Sequence, residues 1–172
     1  MPVATPLPAT IRPATMDDLD AMVEVLWSVG AEGRWIGTEV PFDSGARRAR
    51  MANMVARDDA TSFVADAHRG GKGGVVGNIG VVVAAYGVAD IGMALLDGWR
   101  GLGLGSALLE AGVDWARGAG AHKVALEVWP DNAPALALYR RSGFVEEGRK
   151  RRHYRRANGD LWDAILMGRH LC

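Results

Sequence analysis

Cysteine is almost missing from this chain of 172 residues, and its one copy, Cys172, is the last of them. A single thiol excludes a disulfide framework within the chain and any metal site built from several thiolates, and it fits a reducing, cytoplasmic setting. Net charge is missing too. Twenty Lys and Arg balance twenty Asp and Glu, which gives no electrostatic reason to expect nucleic acid or an anionic membrane as the main partner. Apolar runs are broken by Gly, Asp or Arg well before bilayer-spanning length, so no membrane partner is expected. His68, His122, His153 and His170 lack metal-ligand spacing, and no metal is expected. Residues 1–10 hold three prolines and neither a basic nor an apolar signal region, which predicts a short disordered tail rather than a signal peptide. The remaining residues, 11–171, suffice for one domain with a two- or three-layer core.

Glycine, in contrast, is plentiful, and three copies alternate in Trp99-Arg100-Gly101-Leu102-Gly103-Leu104-Gly105-Ser106-Ala107-Leu108-Leu109. An apolar run ends there and a patterned helix begins. Without Cβ atoms the backbone can bring N–H groups close to an anion, and the following helix adds free amides and the positive end of its dipole. Spacing separates the known glycine loops. A dinucleotide G-x-G-x-x-G would need glycine where Ser106 or Leu108 stands, and Gly71-Lys72-Gly73 lacks the hydroxyl of a nucleoside-triphosphate loop. The pattern R-x-x-G-x-G is filled by Arg100, Gly103 and Gly105. Taken alone, the stretch also reads as a glycine-rich turn with no ligand.

In chain order, 11–14 reads as a strand, and Thr15 with Asp18 starts a helix whose Leu19, Met22, Val23 and Leu26 share one face up to Gly30. Residues 31–42 are aperiodic and mix Glu32, Arg34, Trp35 and Glu39, as a binding loop does; a surface connection with one packed Trp is the plainer alternative. Asp43 or Ser44 can cap a second helix reaching Arg57, with Met51, Met54 and Val55 inward. Strands at 61–67, 75–84 and 89–95 form an antiparallel meander, joined by a flexible hairpin at 69–74. Leu104, Ala107, Leu108, Ala111 and Trp115 mark a third helix, and 123–129 returns as a strand parallel to the one before the glycine loop. Pro130 to Pro134 opens a fourth helix capped by Asp131 or Asn132, and strands at 144–154 and 161–167 close the sheet around Asn158-Gly159. The order βααβββαβαββ is α+β.

The R-x-x-G-x-G loop resembles the pyrophosphate-binding motif of the GNAT superfamily of acyl-CoA-dependent N-acetyltransferases. A second stretch, from Leu126-Glu127-Val128-Trp129 through Asn132 and Tyr139 to Gly143-Phe144, resembles that superfamily's later signature of strand, Asn, short helix with Tyr, and Gly-Phe. The resemblance covers 11–171, and the closing hairpin looks like that of bacterial amino-acid and antibiotic acetyltransferases. It implies a mixed, mostly antiparallel sheet of about seven strands with helices on both faces and a splayed parallel pair. Acetyl-CoA is the implied co-substrate, its pantetheine pairing with Met93, Ala94, Leu95 and Leu96. The backbone of Arg100, Gly101, Leu102, Gly103, Leu104, Gly105 and Ser106 would hold the pyrophosphate, and Asn132 would reach the pantetheine.

The same resemblance implies direct attack of an amine on the thioester, with Tyr139 as the acid for the departing thiolate and a strand amide near Leu95 for the oxyanion. Glu127 is the first candidate for the base. It stands twelve positions before Tyr139, where ribosomal-protein alanine acetyltransferases carry a catalytic Glu, and its alternation with Ala125 and Trp129 puts it on a sheet face expected to be covered. Burial there would raise its pKa toward about 6–7. Ordered water, Glu32 and Glu39 are the alternatives. Glu32, Trp35 and Glu39 are the candidate acceptor contacts. The expected acceptor is a small-molecule amine such as an amino acid or antibiotic; protein N-terminal acetylation, or acyl-CoA or RNA binding without catalysis, are the other readings, and a homodimer is allowed. The basic run Arg149 to Arg152 with Arg140, Arg141, Arg155 and Arg156 reads as a solvated helix end and hairpin, since no aromatic-interleaved nucleic-acid motif accompanies it.

Overall fold

In the computed structural model, which describes residues 7–69 and 72–171, the alternating segments become strands of one sheet and the periodic ones become helices on its two faces. In chain order they are β1 (Thr10–Pro13), α1 (Leu19–Ala31), α2 (Ser44–Ala56), β2 (Ala60–Arg69), β3 (Lys72–Val83), β4 (Val88–Leu95), α3 (Leu104–Gly118), β5 (Lys123–Val128), α4 (Ala133–Arg141), β6 (Val145–Arg155) and β7 (Leu161–His170). The seven strands lie in the order β1-β2-β3-β4-β5-β7-β6, antiparallel except where β4 meets β5. This is the expected mixed α+β sheet.

Local chemistry sets the helix boundaries. Asp43 caps α2, its carboxylate accepting from the Ala46 amide at 2.9 Å. Asn132 caps α4 in the same way through Ala135, with Pro134 tolerated in the first turn. α1 runs past Gly30 to Ala31. β1 starts at Thr10, and Ala9 before it is already buried, so packing begins inside the stretch expected as a tail. Residues 1–6 of that expectation lie outside the described residues, as do Gly70 and Gly71 of the expected hairpin and Cys172. β7 continues to His170, beyond the expected 167, because β5 pairs with it along its whole length, Lys123 opposite His170.

Two cores flank the sheet. Leu19, Met22 and Val25 of α1 and Met51 of α2 pack with Val64 and Ala94 on one face. Leu104, Leu108 and Val113 of α3 pack with Ile79, Val81 and Val124 on the other, joined by Leu136 and Tyr139 of α4. Arg12 ties the first edge together, reaching Asp18 before α1 and Asp66 of β2 at 2.8 Å each. The bonds from Arg12, and from the Thr15 amide and hydroxyl, hold the Asp18 carboxyl at about 2 despite its burial. Among the described residues no helix is long and apolar enough to cross a membrane.

The feature that matters for chemistry is a break in this sheet. β4 pairs with β5 only at Val88, Ala89 and Asp90. Beyond Asp90 β4 stays with β3 as far as Leu95, and β5 stays with β7 as far as Val128. The sheet parts between them.

Candidate active site

The glycine loop lies at the wide end of this opening. Gly101 and Gly103 take φ of 75° and 87°, left-handed values that side chains rarely adopt, and these turns bring the chain from β4 into α3. The first backbone bond of α3 runs from the Ala107 amide to the Gly103 carbonyl at 3.1 Å, which leaves the amides of Leu104, Gly105 and Ser106 at its open first turn. A Cβ on Gly105 would stand 3.3 Å from Leu138 of α4, so the glycine also lets the two helices approach. The Arg100 side chain turns away from the loop. Its Nε donates to the Leu95 carbonyl at 2.9 Å, and its other nitrogens clasp Glu32 at 2.8 and 2.5 Å. The loop therefore offers backbone, with Arg100 as its brace.

β4 offers backbone on alternate residues only. The amide of Leu96 donates to Val76 of β3, and the Ala84 amide donates to Val88, so in an antiparallel ladder the even positions of β4 face β3. Ala94 and Leu96 were expected to pair into the opening, and that expectation is corrected by this parity. The other two expected positions, Met93 and Leu95, do face it, with the Leu95 carbonyl already taken by Arg100.

One cavity of about 1060 Å³ fills the opening, lined by Gly92, Met93, Leu95, Gly101, Gly103 and Ser106 on the β4 side. Leu102 is exposed and Leu104 is buried in the core, so these two side chains do not line it. Asn132 and Tyr139 line the opposite wall. The Asn132 amide nitrogen donates to the Trp35 carbonyl at 3.3 Å while its oxygen caps α4, which joins loop 32–42 to the helix that carries Tyr139. The Tyr139 ring is buried beside Phe144, and burial pushes its pKa up to about 12. A phenol there keeps its proton until a stronger base arrives.

Glu127 stands on the other face of β5, lining the same cavity. It is less enclosed than expected, with its side chain one-third exposed, and it accepts from Lys150 Nζ at 2.5 Å and from the Tyr154 hydroxyl. Burial pushes its pKa up, but the bonds from Lys150 and Tyr154 and the charges of Lys150 and His153 outweigh it and bring the pKa below its ordinary value. The expectation of a raised pKa is overturned. Asp90, which sequence reasoning passed over, shifts the other way: partial burial and the charge of Glu127 both raise it. Its signal in the sequence was a carboxylate inside the apolar run Val88–Leu95.

Loop 32–42 contributes Trp35 to the cavity wall, but not Glu32 or Glu39. Glu32 is held by Arg100 and by the Trp35 indole at 2.5 Å, and Arg100 brings its pKa down despite some burial. Glu39 accepts from the Ala157 amide at 3.1 Å and pairs with Arg156. Both expected acceptor contacts are thus braces of the loop. Arg156 is the missed residue on this side: its side chain is 5% exposed, it donates to the Gly37 carbonyl at 3.0 Å, and it stacks on Trp162. Lys150 and Tyr154 reach Glu127 only because β7 lies between β5 and β6, an order that no local pattern announces. Among the described residues no group of His, Cys, Asp and Glu is placed to hold a metal ion.

The model of the Acetyltransferase (GNAT) family matches residues 22–144, from within α1 to Phe144 just past the Tyr139 helix. The chain belongs to this family. Curated relatives of this GNAT chain include the L-amino acid N-acetyltransferase AaaT of Escherichia coli, 35% identical over 48% of the chain and 51% of that protein. The N-alpha-acetyltransferase RimI of Mycobacterium tuberculosis is 45% identical over 37% and 39%, and the streptothricin acetyltransferase of Streptomyces lavendulae 39% identical over 51% and 46%. The chain spans about half the length of these relatives or less. Solved structures match the GNAT chain along nearly its full length. A ribosomal-protein-alanine N-acetyltransferase from Brucella melitensis superposes with a TM-score of 0.82 at 26% identity, covering 94% of this chain and 99% of that one. A phosphinothricin acetyltransferase from Sinorhizobium meliloti, in complex with AcCoA, shares the fold with a TM-score of 0.84 at 24% identity, covering 96% and 89%.

Proposed function

We propose that the protein transfers an acetyl group from acetyl-CoA to the primary amine of a small molecule. The observation that carries this reading is that one cavity contains an unpaired strand edge, the open first turn of α3 and a buried, protonated phenol. These residues fit the co-substrate: the α3 amides and the left-handed turns at Gly101 and Gly103 form a cradle for phosphates, and Met93 offers backbone groups to an extended amide chain. Acetyl-CoA supplies the activated thioester. The amides of Met93 and Leu95 face the place where negative charge develops, and Tyr139 holds the proton for the departing sulfur.

The two faces divide the work. Tyr139 and the glycine loop belong to the α3 and α4 face, whereas Glu127 and Asp90 lie on the α1 and α2 face, so the amine enters from the side opposite the phosphates. Glu127, which lines the cavity and is kept ionised by Lys150 and Tyr154, orients the incoming ammonium, and the exposed Asp90, outside that lining but near enough to feel the charge of Glu127, receives the proton by way of water. Trp35 forms a wall of the acceptor site. The names of the relatives, spanning amino-acid, antibiotic and N-alpha acetyltransferases, keep protein N-termini among the acceptors to be tried. The lone thiol and the use of acetyl-CoA fit a cytoplasmic enzyme.

The test follows thermal stabilisation by acetyl-CoA and free-thiol release across amino acids, amine-bearing antibiotics and short peptides. The expected result is stabilisation by acetyl-CoA alone and thiol release with a small amine. Preference for peptides would move the acceptor to protein N-termini, and absence of both stabilisation and thiol release would overturn the assignment. Trp35→Ala is expected to raise the KM of the acceptor more than that of acetyl-CoA.

A further inference from the structure

Within the cavity, one position of β4 is left open for a reason the backbone does not supply. Gly92 has no left-handed φ, so its lack of a side chain serves no turn, and a Cβ built there would meet nothing within 4 Å. The residue is exposed and lines the cavity. Alternation along β4 puts it on the same face as Ala94, which packs with α1, and as Asp90. Across the ladder its partner on β3 is Gly80, above which sits the Met54 methyl of α2, 2.8 Å from where a Gly80 Cβ would stand. On the other side of the opening stands Glu127. The cavity thus passes over Gly92 with Glu127 across the opening, while Met54 covers the neighbouring Gly80 and Asp90 lies two residues back along β4 on the same face.

We infer that Gly92 sets the width of the acceptor's path, its empty side-chain space receiving the substituents on the carbon that bears the amine. The inference rests on the proposed acetyl transfer. It makes the acceptor a primary amine on a branched carbon, since an unbranched amine would leave this space unfilled. The backbone groups of Gly92 point to β3, so the position contributes shape and no hydrogen bond to the opening.

The experiment uses conjugates in which the CoA sulfur is joined through an acetamide link to glycinamide, alaninamide or valinamide, with binding measured by calorimetry on the parent chain, Gly92→Ala and Gly92→Val. Turnover is not needed, so an untried acceptor does not cloud the result. The parent is expected to bind all three conjugates, and Gly92→Val to bind CoA like the parent but the valinamide conjugate at least about tenfold more weakly, with a smaller loss for glycinamide. Gly92→Ala, whose added methyl meets no atom, is expected to fall between them with an unchanged melting temperature. Equal affinities of parent and variants for the valinamide conjugate, or equal losses for all three, would overturn the role of Gly92. Failure of the parent to bind CoA would instead overturn the acetyl-CoA assignment on which it rests.

Discussion

The two sides of the opening are built by different means. On the α3 and α4 side the working groups are backbone amides at a helix start and a strand edge, together with one buried phenol, and each comes from a short continuous stretch of chain. On the α1 and α2 side they are side chains held by partners far away in sequence: Glu127 by Lys150 and Tyr154, Glu32 by Arg100, and Glu39 by Arg156 and the turn that follows it. A backbone site depends on local dihedrals and tolerates variation around it. A site of paired charges depends on every partner being present, because a group left unpaired costs about 1–3 kcal/mol where it is buried and less where solvent reaches it, as it does these carboxylates.

The sharpest test of this division is Tyr139→Phe. The ring keeps its packing against Phe144 while the proton is lost, so turnover is expected to fall by about 10²–10⁴ with acetyl-CoA affinity nearly unchanged, read by steady-state kinetics and calorimetry. Because the phenol titrates only near 12, an alkaline limb of the rate profile at lower pH does not belong to it.

Gly103→Val probes the same side through the backbone. A branched residue at φ 87° is strained by about 1–2 kcal/mol, and its side chain would also press on Leu7, 3.1 Å from the Cβ position. The variant is expected to lose the stabilisation by CoA, worth about 3 kcal/mol at a hundredfold excess over Kd in the parent, as read by thermal melting. Full CoA stabilisation in a folded Gly103→Val would remove the loop from the phosphate site.

Arg156→Lys tests the opposite side. A lysine keeps the charge but cannot both stack on Trp162 and reach Gly37 and Glu39 in one plane. We expect a loss of about 1–3 kcal/mol in stability and a raised acceptor KM, with CoA affinity unaffected. A matching loss of CoA affinity would show that the two sides are not independent.

The smallest expected effect separates two carboxylates. Burial and the charge of Glu127 raise the pKa of Asp90, so Glu127→Gln, which removes that charge, lets the Asp90 pKa fall. The acidic limb of kcat/KM then moves to lower pH, whereas Asp90→Asn abolishes it. Loss of the limb in Glu127→Gln would return the role of base to Glu127.

What could be read in the sequence follows the same division. The seven-strand order of elements, the glycine loop and the Asn132-to-Tyr139 stretch were legible because each is governed by neighbours in the chain: periodicity, caps and turn residues. The partners of Glu127, Glu32 and Glu39 were not: Lys150 and Tyr154 depend on β7 lying between β5 and β6 and on a register shift between those two residues, and Glu32 meets Arg100 and Glu39 meets Arg156 across long separations in the chain. Strand parity misled in one place. Met93, Ala94, Leu95 and Leu96 look alike in sequence, and only the ladder to β3 tells which of them turn their amides outward.

That ladder gives β4 a double character, as an interior strand up to Asp90 and a bare edge beyond it. In the free protein the amides of Met93 and Leu95 should trade their hydrogens for deuterium quickly, while Gly92 and Ala94, tied to β3, stay protected between them. A ligand lying along the edge would silence the fast positions and leave the slow ones as they were, so the alternation itself records from residue to residue where the missing strand belongs.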